Sequence, residues 1–341
     1  MKRNKIFFKI ALVIMAIFIP FLSFSQDRIL SKKIVYDVDI MRSRIEQTKE
    51  KDSIAYDYIV DKRFFWQAID TIFAKAKHKD FFFMTSFHES ISFDSIMKNL
   101  KRDYLIRFKD TLTDKKAQKL LEDEIRVIKF EEEWTYNPST LMVNKRVIGY
   151  NPVIRIDSIK LQDDDLIPYE FFRFELGWIY PKGTAVLKDT LCLVRNIHFT
   201  LPIYNKTPYH WWDSHLEPEY SIPYFETYMQ RAEQGLIKVY AQPNSTDSYT
   251  KQEILKRKQF EMMTTIDTKD VYGNIIQKDT IIKGNYTTDN LDYLRFGDEW
   301  YFDPSTLHFI KNVNYISPMI QIIGLDGGLR GLMPIYYLRR R

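Results

Sequence analysis

Phe65, Ile69, Ile72 and Phe73 recur at helical spacing and predict a helix that opens within residues 61–70. Ile96, Met97 and Leu100 predict a second helix, begun by Ser90 or Ser92. The apolar run from Tyr104 to Phe108 then reads as a strand. A weaker echo follows later in the chain. Ser221 to Tyr224 open a helical stretch through Met229, and Gly235 to Tyr240 read as a strand.

Alternation of apolar and polar positions is clearest in two segments that repeat each other. Residues 128–154 read IKFEEEWTYNPSTLMVNKRVIGYNPVI, and residues 294–320 read LRFGDEWYFDPSTLHFIKNVNYISPMI, at an offset of 166. Carried on without a gap to Arg173 and Arg339, through Leu166/Leu332 and Pro168/Pro334, the alignment holds 15 identities in 46 positions. Each segment predicts a β-hairpin. Asn137-Pro138 and Asp303-Pro304 suit the first two positions of a type I turn. Direct joining by that turn pairs Tyr136 with Leu141, Trp134 with Val143, Glu132 with Lys145 and Phe130 with Val147. In the second segment it pairs Phe302 with Leu307, Trp300 with Phe309, Asp298 with Lys311 and Phe296 with Val313. Both hairpins thus carry three apolar pairs and one acid–lysine pair on one face.

A repeat at this distance is too long for a solenoid unit and points to a duplicated domain. The expected fold class is α+β, with two tandem related domains. Each would hold a short helical block and a small antiparallel sheet built on its hairpin. The first spans residues 56–175 and the second 176–341, with an insertion at about 242–290 rich in loop and hairpin signals. Residues 26–55 are polar and charged and read as an arm or a short helix.

The first 25 residues read as a secretory signal peptide. Lys2, Arg3, Lys5 and Lys9 precede the apolar run Ile10 to Phe21, and Ser23 and Ser25 stand before a cut at Gln26. An uncleaved anchor is the other reading, but the run is short for a membrane span. Removing this segment takes the formal charge from +5 to +1, so a nucleic-acid partner loses its main support. The single Cys192 leaves no internal disulfide and reads as a buried, inert thiol. Stability falls to packing, and 15% aromatic residues can supply it.

Candidate chemistry is sparse. Trp134, Trp300 and Trp66, with Tyr136 and Phe302, are candidate partner-binding anchors, with core packing as the plainer reading. Glu131, Glu132 and Glu133 alternate faces on a strand and do not converge on a metal. Lys145 accounts for Glu132, whereas Glu133 and Glu299 recur without an obvious partner. His210-Trp-Trp-Asp213-Ser-His215 lacks a third ligand and a one-face spacing. Asp163–Asp165 reads as a solvated turn, Gly327-Gly328 with Gly331 as the turn before the last strand, and Arg339–Arg341 as a basic tip. No catalytic motif, metal site or cofactor is expected.

From Asp61-Lys62-Arg63-Phe64-Phe65-Trp66-Gln67-Ala68-Ile69-Asp70, the chain resembles the GldN/PorN family of gliding-motility and type IX secretion proteins. The resemblance continues through Ile128 to Tyr136, the Asn137–Thr140 turn, Leu141 to Ile154, and the Pro168 and Pro334 segments. It implies a non-catalytic periplasmic scaffold subunit, held at the outer membrane by a GldK/PorK-like lipoprotein. It also implies GldL/GldM-like motor proteins as further partners and self-association into a ring. The second copy departs from the family pattern. The competing reading is an exported ligand-binding or hydrolytic protein acting on envelope glycan, with Glu133, Glu299 or the His210–His215 stretch at its site.

Overall fold

The computed structural model describes residues 26–39, 62–157, 171–183, 190–202, 216–269, 271–323 and 329–340. It is a mixed α+β structure with mostly antiparallel strands. The expected first helix is α1 (Lys62–Lys77), which buries Phe65, Ile69, Ile72 and Phe73. After a two-stranded ribbon of β2 (Phe83–Met84) and β3 (Ser90–Ile91), Ser92 caps α2 (Phe93–Phe108) by accepting a 3.1 Å bond from the Ser95 amide. The strand expected at residues 104–108 is the last turn of this helix. Ile96, Leu100, Tyr104 and Phe108 lie four apart on one face, and Tyr104 and Phe108 pack with ring centroids 4.5 Å apart. Helix α3 (Asp114–Asp123) follows.

The hairpins are β4 (Ile125–Tyr136) with β5 (Val143–Asp157), and β10 (Leu291–Asp303) with β11 (His308–Ile323). Their register is two residues from that expected. Trp134 lies opposite Lys145 and Trp300 opposite Lys311, while Glu132 lies opposite Val147 and Asp298 opposite Val313. The turn is the reason. Leu141 and Leu307 take left-handed conformations, with φ of 58° and 62°. Their amides bond back to the carbonyls of Asn137 and Asp303 at 2.7 and 2.8 Å, so each loop is two residues longer than a simple type I connection. The shift of two keeps the side chains between the turn and Glu132 or Asp298 on their expected faces; beyond the bulge Phe130 lies opposite Tyr150 and Phe296 opposite Ile316, in place of Val147 and Val313. Both hairpins also carry a register shift at equivalent points, between Glu131 and Glu132 and between Gly297 and Asp298.

Flanking strands repeat the pattern. Strand β1 (Arg28–Asp39) places Tyr36 opposite Phe130, and β7 (Leu191–Pro202) places Phe199 opposite Phe296. The described part of the polar N-terminal arm is therefore an edge strand. On the other side, β6 (Phe171–Glu175) places Phe174 opposite Ile154, and β12 (Leu329–Pro334) places Met333 opposite Ile320. These partners are 159 residues apart, so the gapless alignment ends here. Arg173 pairs with Arg155, and its counterpart is Leu332 opposite Gln321 rather than Arg339.

All these strands, with β13 (Leu338–Arg339), form one nine-stranded sheet whose main path is β1-β4-β5-β11-β10-β7. The two separate small sheets expected from the repeat are instead joined where Lys145 lies opposite Lys311. Side chains from both hairpins fill one core cluster. The sheet curls, since Tyr36 and Phe199, from the two ends of the path, stack with centroids 5.6 Å apart.

The second helical block is α4 (Pro218–Gln234), ended by Gly235 at φ 74°. The strand expected at 235–240 is reduced to Tyr240, which bridges Tyr337. The insertion holds α5 (Lys251–Lys258) and a hairpin of β8 (Gln259–Lys269) and β9 (Ile275–Asn285). One helix of each block serves the opposite half, α1 packing on β7 and α4 on β1, whereas α2 and α3 pack on β6 and β4 of their own half. Lys75 of α1 donates to the Ser305 carbonyl in the second turn at 2.6 Å, and Arg231 of α4 to the Pro138 carbonyl in the first at 2.5 Å.

Candidate functional site

Four charged side chains meet where the hairpins join. Glu132, Lys145, Asp298 and Lys311 point into the curled sheet, and their charged ends are fully buried. The expected pairs within each hairpin do not form. Lys145 Nζ donates to Asp298 Oδ2 at 2.7 Å, and Lys311 Nζ lies 2.6 Å from Glu132 Oε1, off the line of a straight hydrogen bond. Each lysine thus reaches the acid of the other hairpin. Once the register moves by two residues, each lysine stands beside the partner hairpin instead of across from its own acid.

Aromatic faces replace water around both ammonium groups. Lys145 Nζ lies 3.7 Å from the Phe296 ring centroid, 4.2 Å from Phe199 and 4.7 Å from Trp134. Lys311 Nζ lies 3.1 Å from Phe130, 4.2 Å from Trp300 and 5.0 Å from Tyr36. Cation–π attraction of this kind offsets part of the desolvation cost. Such a cage in an open pocket would take a quaternary ammonium ligand. Here the chain's own lysines fill both.

The two ends differ by one methylene. The longer Glu132 accepts from Trp134 Nε1 at 2.6 Å and from Tyr36 Oη at 2.8 Å, and Lys311 donates to Tyr36 Oη at 3.1 Å. Asp298 is shorter, and Trp300 Nε1 and Asp298 Oδ1 make no hydrogen bond. The electrostatics follow. Burial opposes ionisation of Glu132, but the charges of Lys311 and Lys145, with the Trp134 hydrogen bond, hold its carboxyl below the usual range. Burial raises Asp298 despite Lys145. Burial lowers Lys145, and pushes Lys311 down to about 8 against the pull of Glu132.

The sequence-derived candidates divide between core and surface. Trp134, Trp300, Tyr136, Phe302 and Trp66 are buried, so none offers a surface anchor. Glu133 faces outward and accepts from Arg146 Nη2 at 2.8 Å, which supplies the partner the sequence did not reveal. Glu299 accepts from Tyr301 Oη at 3.1 Å. Asn137 and Asp303 cap their turns, receiving the Ser139 and Ser305 amides at 2.9 Å on Oδ1, with Pro138 and Pro304 next in the loops. Cys192 is half-buried on edge strand β7 rather than in the core. The His210–His215 stretch, Asp163–Asp165, the signal segment and Gly327-Gly328 lie outside the described residues.

Tyr36 and Phe199 were missed as site residues, although Tyr36 and Val38 alternate with Asp37 and Asp39 as a half-buried strand does. Among the described residues, no three His, Cys, Asp or Glu side chains group as metal ligands, and no helix is long and apolar enough to cross a membrane. An open hollow of about 260 Å³ beside α1, lined by Asp70, Phe73, Ala74, Lys77, His78 and Glu122, presents mixed charges without a converging set. Comparison with family models, curated proteins and solved structures gives no match.

Proposed function

We propose that this chain is a non-catalytic scaffold subunit of a type IX secretion and gliding assembly. In this reading it is exported to the periplasm and held at the outer membrane by a GldK/PorK-like lipoprotein, with GldL/GldM-like motor proteins beyond. The resemblance of the Lys62–Asp70 opening, the hairpin and the return segment supports it. One structural observation carries it: the aromatic residues and the acid–lysine pairs shared by the two hairpins are spent inside one core. That leaves recognition to the outer surfaces, as in a scaffold. The two halves are further proposed to descend from one duplicated unit. Supporting this, the hairpins match in register at an offset of 166 and the flanking strands pair alike.

The test is affinity purification of the tagged chain from gently solubilised envelopes, with mass spectrometry of what accompanies it. The scaffold reading expects an outer-membrane lipoprotein and motor components in a high-mass peak. A lone monomer without envelope partners would overturn it.

A further inference from the structure

The β8–β9 hairpin stands apart from the main sheet as a two-stranded sheet of its own, and neither strand pairs with any other among the described residues. Its eleven rungs run from Gln259↔Asn285 to Lys269↔Ile275 without a register shift. At about 3.4 Å per residue this is an arm of roughly 37 Å. An isolated hairpin is marginal in water, and a third strand is the usual remedy. Natural edges are blunted by proline, bulges, a covering element or charged side chains, and β9 has only the last, Lys278 and Lys283 among them. Residues 259–285 contain no proline, the ladder has no bulge, and α5, which runs directly into β8, packs against it. There Phe260 packs on Tyr286 with centroids 5.0 Å apart. Farther out, Ile275 and Ile281 are 70% and 58% exposed on one face, and Ile276 is 44% exposed on the other.

We propose that β9 is a self-pairing edge, and that two copies of this chain join by antiparallel pairing of β9 with β9 about a two-fold axis through Ile281. The sequence of β9, IIQKDTIIKGN, is self-complementary in that register. Ile281 meets Ile281 of the second copy. Asp279 falls opposite Lys283 and Lys283 opposite Asp279, while Lys278 falls opposite Gly284. No like charges stand directly opposite, and two acid–base pairs flank an apolar centre. The shared surface is isologous, so it closes as a dimer. This inference does not depend on the scaffold reading.

The full chain tests it by light scattering after size exclusion, with two variants at the axial position. Ile281→Lys and Ile281→Glu replace an exposed residue, so the fold tolerates both, which circular dichroism checks. The wild type should run as a dimer. Each variant alone should dissociate at least about tenfold more readily, because identical charges meet across the axis. An equimolar mixture should recover the dimer as a Lys–Glu pair. A monomeric wild type, variants that dimerise as well alone, or a mixture that stays monomeric would overturn the proposal.

Discussion

A single methylene separates the two ends of the buried quartet. Glu132 reaches Trp134 Nε1, whereas Asp298 stops short of Trp300 Nε1. Trp134→Phe should therefore cost about 1.5–3 kcal/mol more than Trp300→Phe, the worth of a hydrogen bond to a charged group. Urea unfolding of both variants measures this, and equal costs would mean that the indole bond contributes nothing. Lys311 adds a pH signature. Its pKa is about 8 in the folded chain against 10.5 for an ordinary lysine. Below pH 8 both states hold the proton. Between 8 and 10.5 the unfolded chain holds a proton that the folded chain has released, so this group makes stability rise with pH. A Glu132→Gln/Lys311→Met double variant should lack that rise. Urea midpoints of both proteins across the window give the comparison, and parallel curves would contradict the lowered pKa.

At the scale of elements, the hairpin turn shows what packing can override. A left-handed leucine costs about 1–2 kcal/mol relative to a conformation it prefers. Leu141 is nonetheless fully buried, and truncating a buried leucine typically costs 2–5 kcal/mol. Leu141→Gly should therefore destabilise by about 1 kcal/mol or more in thermal or urea unfolding, despite the relief of φ; a stabilised variant would show that strain dominates. This turn also marks what the sequence could convey. The hairpins, their inward faces, α1 and the start of α2 were legible because periodicity and capping are local signals. The loop length was not, since the left-handed conformation sits on a leucine where glycine would have announced it. The Tyr104–Phe108 segment misled because short apolar runs fit either period. The exchanged ion pairs were out of reach, because they depend on how two distant hairpins meet.

Across the whole molecule, the halves are interlocked. α1 serves the second hairpin and α4 the first, and one core contains residues of both. Neither half can open without exposing the other's turn and buried charges. Unfolding in urea should therefore be a single transition, with tryptophan fluorescence and far-ultraviolet circular dichroism superimposed. Two separated transitions would mean that the halves are independent domains.

The interlock rests on the exchange of partners in the quartet, and a pair of double-mutant cycles tests it most directly. Lys145→Met combined with Asp298→Leu should show a coupling at the upper end of the usual 0.5–3 kcal/mol range, since each single change strands a buried charge and the pair of changes removes both. Lys145→Met combined with Glu132→Leu should couple more weakly, because that acid is engaged by Lys311. Stronger coupling of Lys145 to Glu132 than to Asp298 would return the ion pairs to their own hairpins and contradict the account.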